Sequence, residues 1–138
     1  MIENKKPKPN FWWSILTMRC PRCRRGHMFN SGNPYKKFSL KHIFNMPDNC
    51  PVCQQKYDLE VGFWYGTGYV SYGIAVLMSG VTFILWWILI GISFNDNRIF
   101  YWLIGNTVML VVTQPWLMRI SRVVYLYFFV TYDPNFEL

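Results

Sequence analysis

Hydrophobic positions concentrate in two long uncharged stretches in the second half of the chain. No charged side chain occurs from Val61 to Asn95, and the densest part, residues 69–94, is long enough at about 1.5 Å per residue to cross a hydrocarbon core of about 30 Å. A compact polar turn at residues 95–98 leads to a second uncharged stretch at residues 99–118. The pattern predicts two membrane spans that form a helical hairpin.

The first half of the chain predicts shorter elements. Residues 11–18 are rich in Trp and too short to span a bilayer, which favours a short helix at the headgroups or against the cysteine-rich unit, with a strand or turn packed there as the alternative. Residues 39–44 fit one or two helical turns, and residues 56–61 alternate with period two, as a strand does. The aromatic segment at residues 123–132 either extends the second span or lies along the interface.

All four cysteines occur in two matching C-x-x-C pairs, Cys20 with Cys23 and Cys50 with Cys53. Two residues between cysteines let one tight turn direct both sulfurs at one ion, and two such turns supply the four ligands of a tetrahedral structural zinc site. A disulfide framework is the alternative, but a reducing compartment favours metal ligation. The predicted fold class is therefore a small β-rich zinc ribbon followed by an α-helical transmembrane hairpin.

These patterns divide the chain into four parts. Residues 1–13 form a basic tail and the start of an interfacial segment, and residues 14–62 form the zinc ribbon. Residues 63–122 form the transmembrane hairpin, and residues 123–138 form an aromatic interfacial segment.

The distribution of charge predicts the orientation in the membrane. The chain carries 14 Lys and Arg against 7 Asp and Glu, a formal charge of +7, and eleven of the basic residues precede residue 66. Lys56, Arg119 and Arg122 flank the hairpin on one side, against Arg98 alone in the turn. The positive-inside rule therefore predicts that both termini and the zinc ribbon lie in the cytoplasm, with the turn at Asp96 on the opposite side of the membrane. No secretory signal is visible in the N-terminal residues.

Two further sets of residues are candidates for contacts. Small residues recur every four positions in the first span, which allows packing against the second span or against a partner's helix; the set is Thr67, Ser71, Ala75 and Ser79. Arg119 and Arg122 lie one helical turn apart and are expected to reach lipid phosphates or to face a partner. The spans contain no Asp, Glu, Lys or His that could serve a proton or ion path, and Asp96 lies in the turn between them.

Enzymatic activity is not expected. A zinc ion held by four thiolates has no open position for water, and the carboxylates form no acid–base pair. No small-molecule substrate is evident, so no catalytic residue is assigned.

The basic residues near the cysteines allow three kinds of partner. They lie among the aromatic residues Phe29, Tyr35 and Phe38, and the set is Arg19, Arg22, Arg24, Arg25, Lys36, Lys37 and Lys41. We favour contact with membrane lipids or a membrane protein over nucleic acid. Metal delivery is a further alternative because thiolates also bind Cu(I), but the methionines of the spans are scattered rather than clustered.

Several segments taken together carry a family resemblance. They are Cys20-Pro-Arg-Cys23-x-x-Gly26, Cys50-Pro-x-Cys53, Ser14-Ile15-Leu16, Phe63-Trp64-Tyr65-Gly66, Tyr69-Val70-Ser71-Tyr72 and Phe128-Phe129-Val130-x-Tyr132-Asp133-Pro134. With the two-span hairpin and the basic exit after a proline, the chain resembles the bacterial domain-of-unknown-function family 983, in its Bacteroidetes-type form, over about residues 14–134.

The resemblance implies a role but no catalytic residue. Some members of that family are encoded beside cytochrome c oxidase subunits and assembly factors, which implies that this chain assists the assembly of a respiratory oxidase or accompanies it. The implied site residues are the four cysteines alone. The association concerns genes, and the chemistry of the site has to be argued separately.

Overall fold

Two long helices dominate the computed structural model, which describes residues 7–30, 33, 35 and 39–135, without the side chains of Leu40 and His42. Helix α1 spans Phe11–Leu16, α2 spans Leu40–Ile43, α3 spans Thr67–Ile90 and α4 spans Arg98–Phe129. A 3-10 helix, Phe63–Gly66, leads directly into α3. The predicted basic residues of the tail at positions 1–6, together with Lys36, Lys37 and Phe38, lie outside the described residues.

Helices α3 and α4 pack side by side in opposite directions. Asn106 of α4 donates its side-chain amide to the Ser79 hydroxyl (3.2 Å), and the Thr82 hydroxyl donates to the Asn106 amide oxygen (3.3 Å). Further along the pair, the Phe83 and Trp102 rings meet edge to face at 5.1 Å. Polar side chains that would be costly in lipid are therefore paired between the helices.

Only one helical stretch in the described residues is long and apolar enough to cross a membrane. It is the 3-10 helix together with α3, Phe63–Ile90, with a mean hydropathy of 2.2 in its most apolar window and none of that window buried. α4 is longer, at 32 residues, but contains polar residues that lower its hydropathy, namely Asn106, Thr107, Thr113 and Gln114. Both predicted spans are helical, and one of them has the composition of a membrane span by itself.

The two halves of α4 have different surroundings. From Arg98 to Gln114 no residue is fully buried, whereas from Pro115 onward Leu117, Ile120, Val123 and Leu126 are buried. The helix does not stop at residue 122 but continues to Phe129, so the C-terminal segment extends the second long helix. Its final turns form the floor of the cysteine-rich module, which we define as residues 7–30 and 39–62.

The prediction of a β-rich ribbon is wrong. Among the described residues the only β pairings are two isolated bridges, Arg19 with His27 and Asn49 with Lys56, and no sheet forms. The strand expected at residues 56–61 is reduced to that single bridge at Lys56. The module has no need of a sheet because its apolar residues pack on α4, in one cluster with the four cysteines.

The short helices of the module also pack on α4. The buried face of α1 carries Ser14 and Ile15, and the Phe11 ring meets the Tyr127 ring of α4 at 5.5 Å. α2 confirms the helical turn predicted within residues 39–44, and its last carbonyl, at Ile43, accepts a hydrogen bond from the Arg119 side chain. α4 thus replaces a sheet as the element that organises the module.

Candidate metal centre

The two C-x-x-C segments fold into knuckles with nearly the same backbone. In the first, the Arg24 amide donates to the Cys20 carbonyl (2.8 Å), and in the second the Gln54 amide donates to the Cys50 carbonyl (3.0 Å). Each knuckle is closed by its β-bridge, at Arg19 and Asn49 respectively. The shared turn directs both sulfurs of each pair to the same side, as a chelating motif requires.

The residue after the second cysteine of each pair has a left-handed backbone. Arg24 has φ 54° and Gln54 has φ 59°, a conformation that favours glycine because a Cβ atom there crowds the backbone. The knuckle turn therefore holds a non-glycine residue at a strained position in both motifs. This strain persists because the surrounding contacts fix the turn.

Replacing Gln54 with glycine is expected to stabilise the protein by about 0.5–1 kcal/mol. The Gln54 side chain is exposed, so little packing is lost. The left-handed strain that glycine relieves, roughly 1–2 kcal/mol, is in part offset by the greater freedom of glycine in the unfolded chain, about 0.4–1 kcal/mol. The matched control is Gln55→Gly, one position further, where φ is not positive; it should be neutral or destabilising. Thermal unfolding of the metal-loaded protein in detergent tests both, and a lower midpoint for Gln54→Gly would contradict the strain argument.

The two knuckles face each other and bring the four sulfurs together. The Sγ atoms of Cys20, Cys23, Cys50 and Cys53 all lie within 4.8 Å of one another, and all four cysteines are free thiols. Sγ of Cys20 is 3.7 Å from that of Cys53, and Sγ of Cys23 is 3.8 Å from that of Cys50. Four sulfurs at about 2.3 Å from one tetrahedral ion are about 3.8 Å apart. The predicted cluster therefore exists and can hold a metal ion.

The described residues bury the sulfur cluster almost completely. Three of the cysteines are fully buried and Cys53 is 6% exposed. Gly26 covers the first knuckle: its amide donates to Sγ of Cys23 (3.4 Å), and a Cβ atom at this position would lie 2.5 Å from Sγ of Cys50. Glycine is thus required here by close approach to a ligand atom.

The thiols influence one another strongly. A hydrogen bond from the Cys20 thiol, with help from the backbone amides of Gly26 and Arg25, lowers the pKa of Cys23, whereas hydrogen bonding to Cys23 and burial raise the pKa of Cys20. Burial is the main cause that raises the pKa of Cys53. Four thiols crowded in a buried site do not all ionise unaided, and a bound cation supplies the compensating charge.

The arginines predicted near the knuckles make contacts within the protein. Arg22 forms an ion pair with Asp133 at 3.3 Å. The Arg24 guanidinium lies over the Phe11 and Tyr132 rings, at 5.3 and 4.7 Å. Arg19 donates to the Arg25 carbonyl at 3.4 Å. These contacts attach the start of α1 and the segment after α4 to the first knuckle.

Lipid phosphates could not reach Arg119, which is buried, and Arg122 is only partly exposed. Arg119 is fully buried; its Nε donates to the Ile43 carbonyl (3.0 Å) and its guanidinium lies 4.8 Å from the Phe29 ring centre. Arg122 is half-buried against the Phe44 ring at 4.0 Å and the Trp64 ring at 4.9 Å. Burial lowers the pKa of both guanidinium groups, with Asp58 opposing the effect at Arg122. Both arginines fasten the module to α4.

Two of the four predicted small residues of α3, Ala75 and Ser79, lie along its contact with α4. Ser79 accepts the Asn106 hydrogen bond, Ala75 packs against the core cluster, and Ser71 is half-buried. The Thr67 hydroxyl instead donates to the Trp64 carbonyl at the start of the helix (2.6 Å). Packing within the hairpin accounts for Ala75 and Ser79.

The sequence patterns did not assign a role in the site to two residues. Tyr57 is buried beside the sulfurs at 1% exposure, and Gly26 touches one of them. Aligning the cysteines of the two motifs without a gap places Tyr57 opposite His27, which is exposed, so the sequence repeat does not single it out. The match with the buried Met28 appears only in the structure, where each residue follows the bridge that closes its knuckle. His27, which also lies near the first pair, is exposed and outside the sulfur cluster.

Comparison of the chain with protein-family models, with curated proteins and with solved structures gave no match. The resemblance to family 983 stays a prediction from the motifs.

Proposed function

We propose that this chain is a non-enzymatic bacterial inner-membrane protein in which a structural zinc ion holds a small cytoplasmic module on a transmembrane hairpin. The observation that carries the proposal is the single core that the four cysteines share with Leu117, Ile120, Val123 and Leu126 of α4. A metal at this place would fix the module to the helix that pairs with the apolar span. The proposed role of the module is to dock on a membrane protein complex.

The donor set supports zinc in a structural role. Four cysteine sulfurs spaced like the corners of a tetrahedron are typical of closed zinc sites, which keep no position open for water or substrate. Burial of the sulfurs also favours a retained ion over one that is passed on, because transfer between proteins requires an accessible ligand. Structural zinc therefore fits better than metal delivery.

The exposed apolar surface supports a membrane hairpin. Large hydrophobic side chains of α3 are exposed along its length, among them Leu77, Leu85, Ile88 and Leu89, and lipid is the environment that suits them. The part of α4 before the module, residues 98–114, is about 25 Å long at 1.5 Å per residue. This length approaches the hydrocarbon thickness of about 30 Å. The cysteine module would then sit at the cytoplasmic surface.

The loop between the knuckles supports the same placement. The exposed Tyr35 donates its hydroxyl to the Val112 carbonyl of α4 (3.0 Å), close to Pro115, which lacks the amide that would pair with the Val111 carbonyl. Tyrosine is common at the membrane surface because its ring is apolar and its hydroxyl is polar. Tyr35 would mark the cytoplasmic boundary of the second span.

The contacts of the arginines favour protein or lipid partners over nucleic acid. Nucleic-acid binding requires basic side chains free to reach phosphates, but Arg22 and Arg24 are held by Asp133, Phe11 and Tyr132. An exposed apolar face on α1, with Trp12 76% and Trp13 63% exposed, instead supports contact with a membrane or a protein. A respiratory oxidase or its assembly factors are the partners implied by the family resemblance.

Purification in mild detergent tests both parts of the proposal. We expect one zinc ion per chain by elemental analysis and, by mass spectrometry of the co-purified proteins, oxidase subunits or assembly factors. Copper in place of zinc would contradict the structural site. Recovery of neither subunits nor assembly factors would contradict the oxidase partner. A reporter fusion at the C-terminus tests the orientation separately, and a periplasmic C-terminus would contradict it.

A further inference from the structure

Tyr57 occupies the same place in the second knuckle that Met28 occupies in the first. The Tyr57 amide donates to the Asp48 carbonyl and the Met28 amide to the Met18 carbonyl, both at 3.1 Å. Each follows directly on the bridge that closes its knuckle, and each side chain is buried at 1% or less. The backbone thus presents two equivalent positions to the core, and only the second carries a polar group.

The Tyr57 hydroxyl is buried and has no hydrogen bond of ordinary geometry to any described residue. Tyr57 lies in the same buried cluster as the four cysteines. Burial raises the pKa of Tyr57, and the neighbouring Cys50 and Cys20 thiols raise it further, which agrees with a hydroxyl that faces sulfur. A buried hydroxyl usually has a partner, because leaving a donor unpaired away from water is unfavourable. Sulfur is the acceptor that this position offers.

A bound ion would make the sulfurs better acceptors. Four thiolates around a divalent cation carry a net charge of −2, and hydrogen bonds from neighbouring groups stabilise metal-bound ligands and orient them. Gly26 supplies one such donor, through its amide to Sγ of Cys23. The Tyr57 hydroxyl is a second donor, placed on the other pair of the cluster.

We infer that Tyr57 is a positioning residue of the metal centre, whose hydroxyl donates to the metal-bound thiolate of Cys50. The inference rests on the proposed metal site and assigns to the site a residue outside the four ligands. The hydrogen bond stabilises the negative charge on the metal-bound sulfur and holds the second knuckle against the first. It thereby tightens the hold on the ion without contacting it.

The experiment compares Tyr57→Phe with the unchanged protein, using the full chain in detergent. Zinc affinity is measured by competition with a chromogenic chelator, and the energy of the sulfur-to-metal charge-transfer band is measured after substitution with Co²⁺. We expect zinc affinity to fall about 10–100-fold, the usual effect of removing an outer-shell partner. The charge-transfer band should move to lower energy because the thiolates become more electron-rich.

A control and a second variant separate the hydroxyl from packing. Tyr125→Phe removes a hydroxyl from the half-buried Tyr125 of α4, which lies against Phe63 and Phe129, and should change neither measurement. Tyr57→Met gives the second knuckle the residue of the first and should shift both measurements as Tyr57→Phe does.

The outcomes distinguish this inference from the proposed function. Wild-type affinity and band energy in Tyr57→Phe would overturn the role of the hydroxyl while leaving the metal site in place. Failure of the unchanged protein to bind zinc or Co²⁺ would overturn the proposed function itself.

Discussion

Replacing Cys50 with serine is expected to abolish stoichiometric metal binding and to unfold the cysteine-rich module. Binding of a structural zinc ion contributes about 10–16 kcal/mol in small zinc-dependent units, comparable with or larger than the whole stability of a small domain, about 5–15 kcal/mol. The module has no sheet among its described residues and two short helices, so little else can hold the knuckles together. We expect helices α3 and α4 to stay paired, because their contacts at Ser79 and Asn106 lie far along the chain from the cluster.

Limited proteolysis of the protein in vesicles, together with metal analysis, measures this effect. In Cys50→Ser the module should become sensitive to protease while the hairpin remains protected. The matched control is Val52→Ser, which places a serine between the same two cysteines at a side chain that is 47% exposed and should keep both metal and protease resistance. One metal ion per chain and an intact module in Cys50→Ser would show that the fourth ligand is dispensable.

Replacing Gly26 with alanine should weaken metal binding by about 10–100-fold without removing any ligand. The added Cβ would lie 2.5 Å from Sγ of Cys50 and 3.3 Å from Cγ2 of Val52, so the two knuckles have to move apart. Overpacking of this kind typically costs about 1–3 kcal/mol. The displacement acts directly on a ligand atom, and the loss should appear mainly in the affinity for the ion.

The same substitution elsewhere supplies the control. A Cβ added at Gly80, inside α3, meets nothing within 4 Å, and alanine favours a helix by about 1 kcal/mol over glycine. Gly80→Ala should therefore leave metal affinity unchanged. Equal affinities of Gly26→Ala and the unchanged protein in a chelator competition would mean that the knuckles are not in close contact when the ion is bound.

The cluster of four cysteines is the part of the structure that the sequence predicts best. Two residues between cysteines constrain the turn so tightly that the position of both sulfurs follows from local chemistry. The helices at residues 67–90 and 98–129 were also predictable in kind, because long uncharged stretches have one regular structure available in lipid. Their pairing through Asn106 was not assigned, since nothing in a single sequence shows which face of a helix meets its neighbour.

The prediction of a β-rich ribbon is wrong because it rests on a local pattern, the alternation of residues 56–61. Alternation predicts a strand only if another strand is available to pair with it, and here each knuckle forms a single bridge instead. The apolar side of the module is covered by α4, about 60 residues further along the chain from Lys56. The sequence also does not predict the burial of Arg119, because a basic residue after a membrane span ordinarily remains at the lipid surface.

The unbroken course of α4 has a mechanical consequence. A single rod of 32 residues runs from the turn at Arg98 to the floor of the cysteine module, with no flexible linker between them. The module therefore cannot swivel as a tethered domain does, and the face that we propose for docking would keep one angle to the bilayer. Any tilt or rotation imposed on the hairpin by a neighbour would be transmitted as lever motion to the knuckles, which pack on residues 117–126 of α4, about 30–40 Å from Arg98.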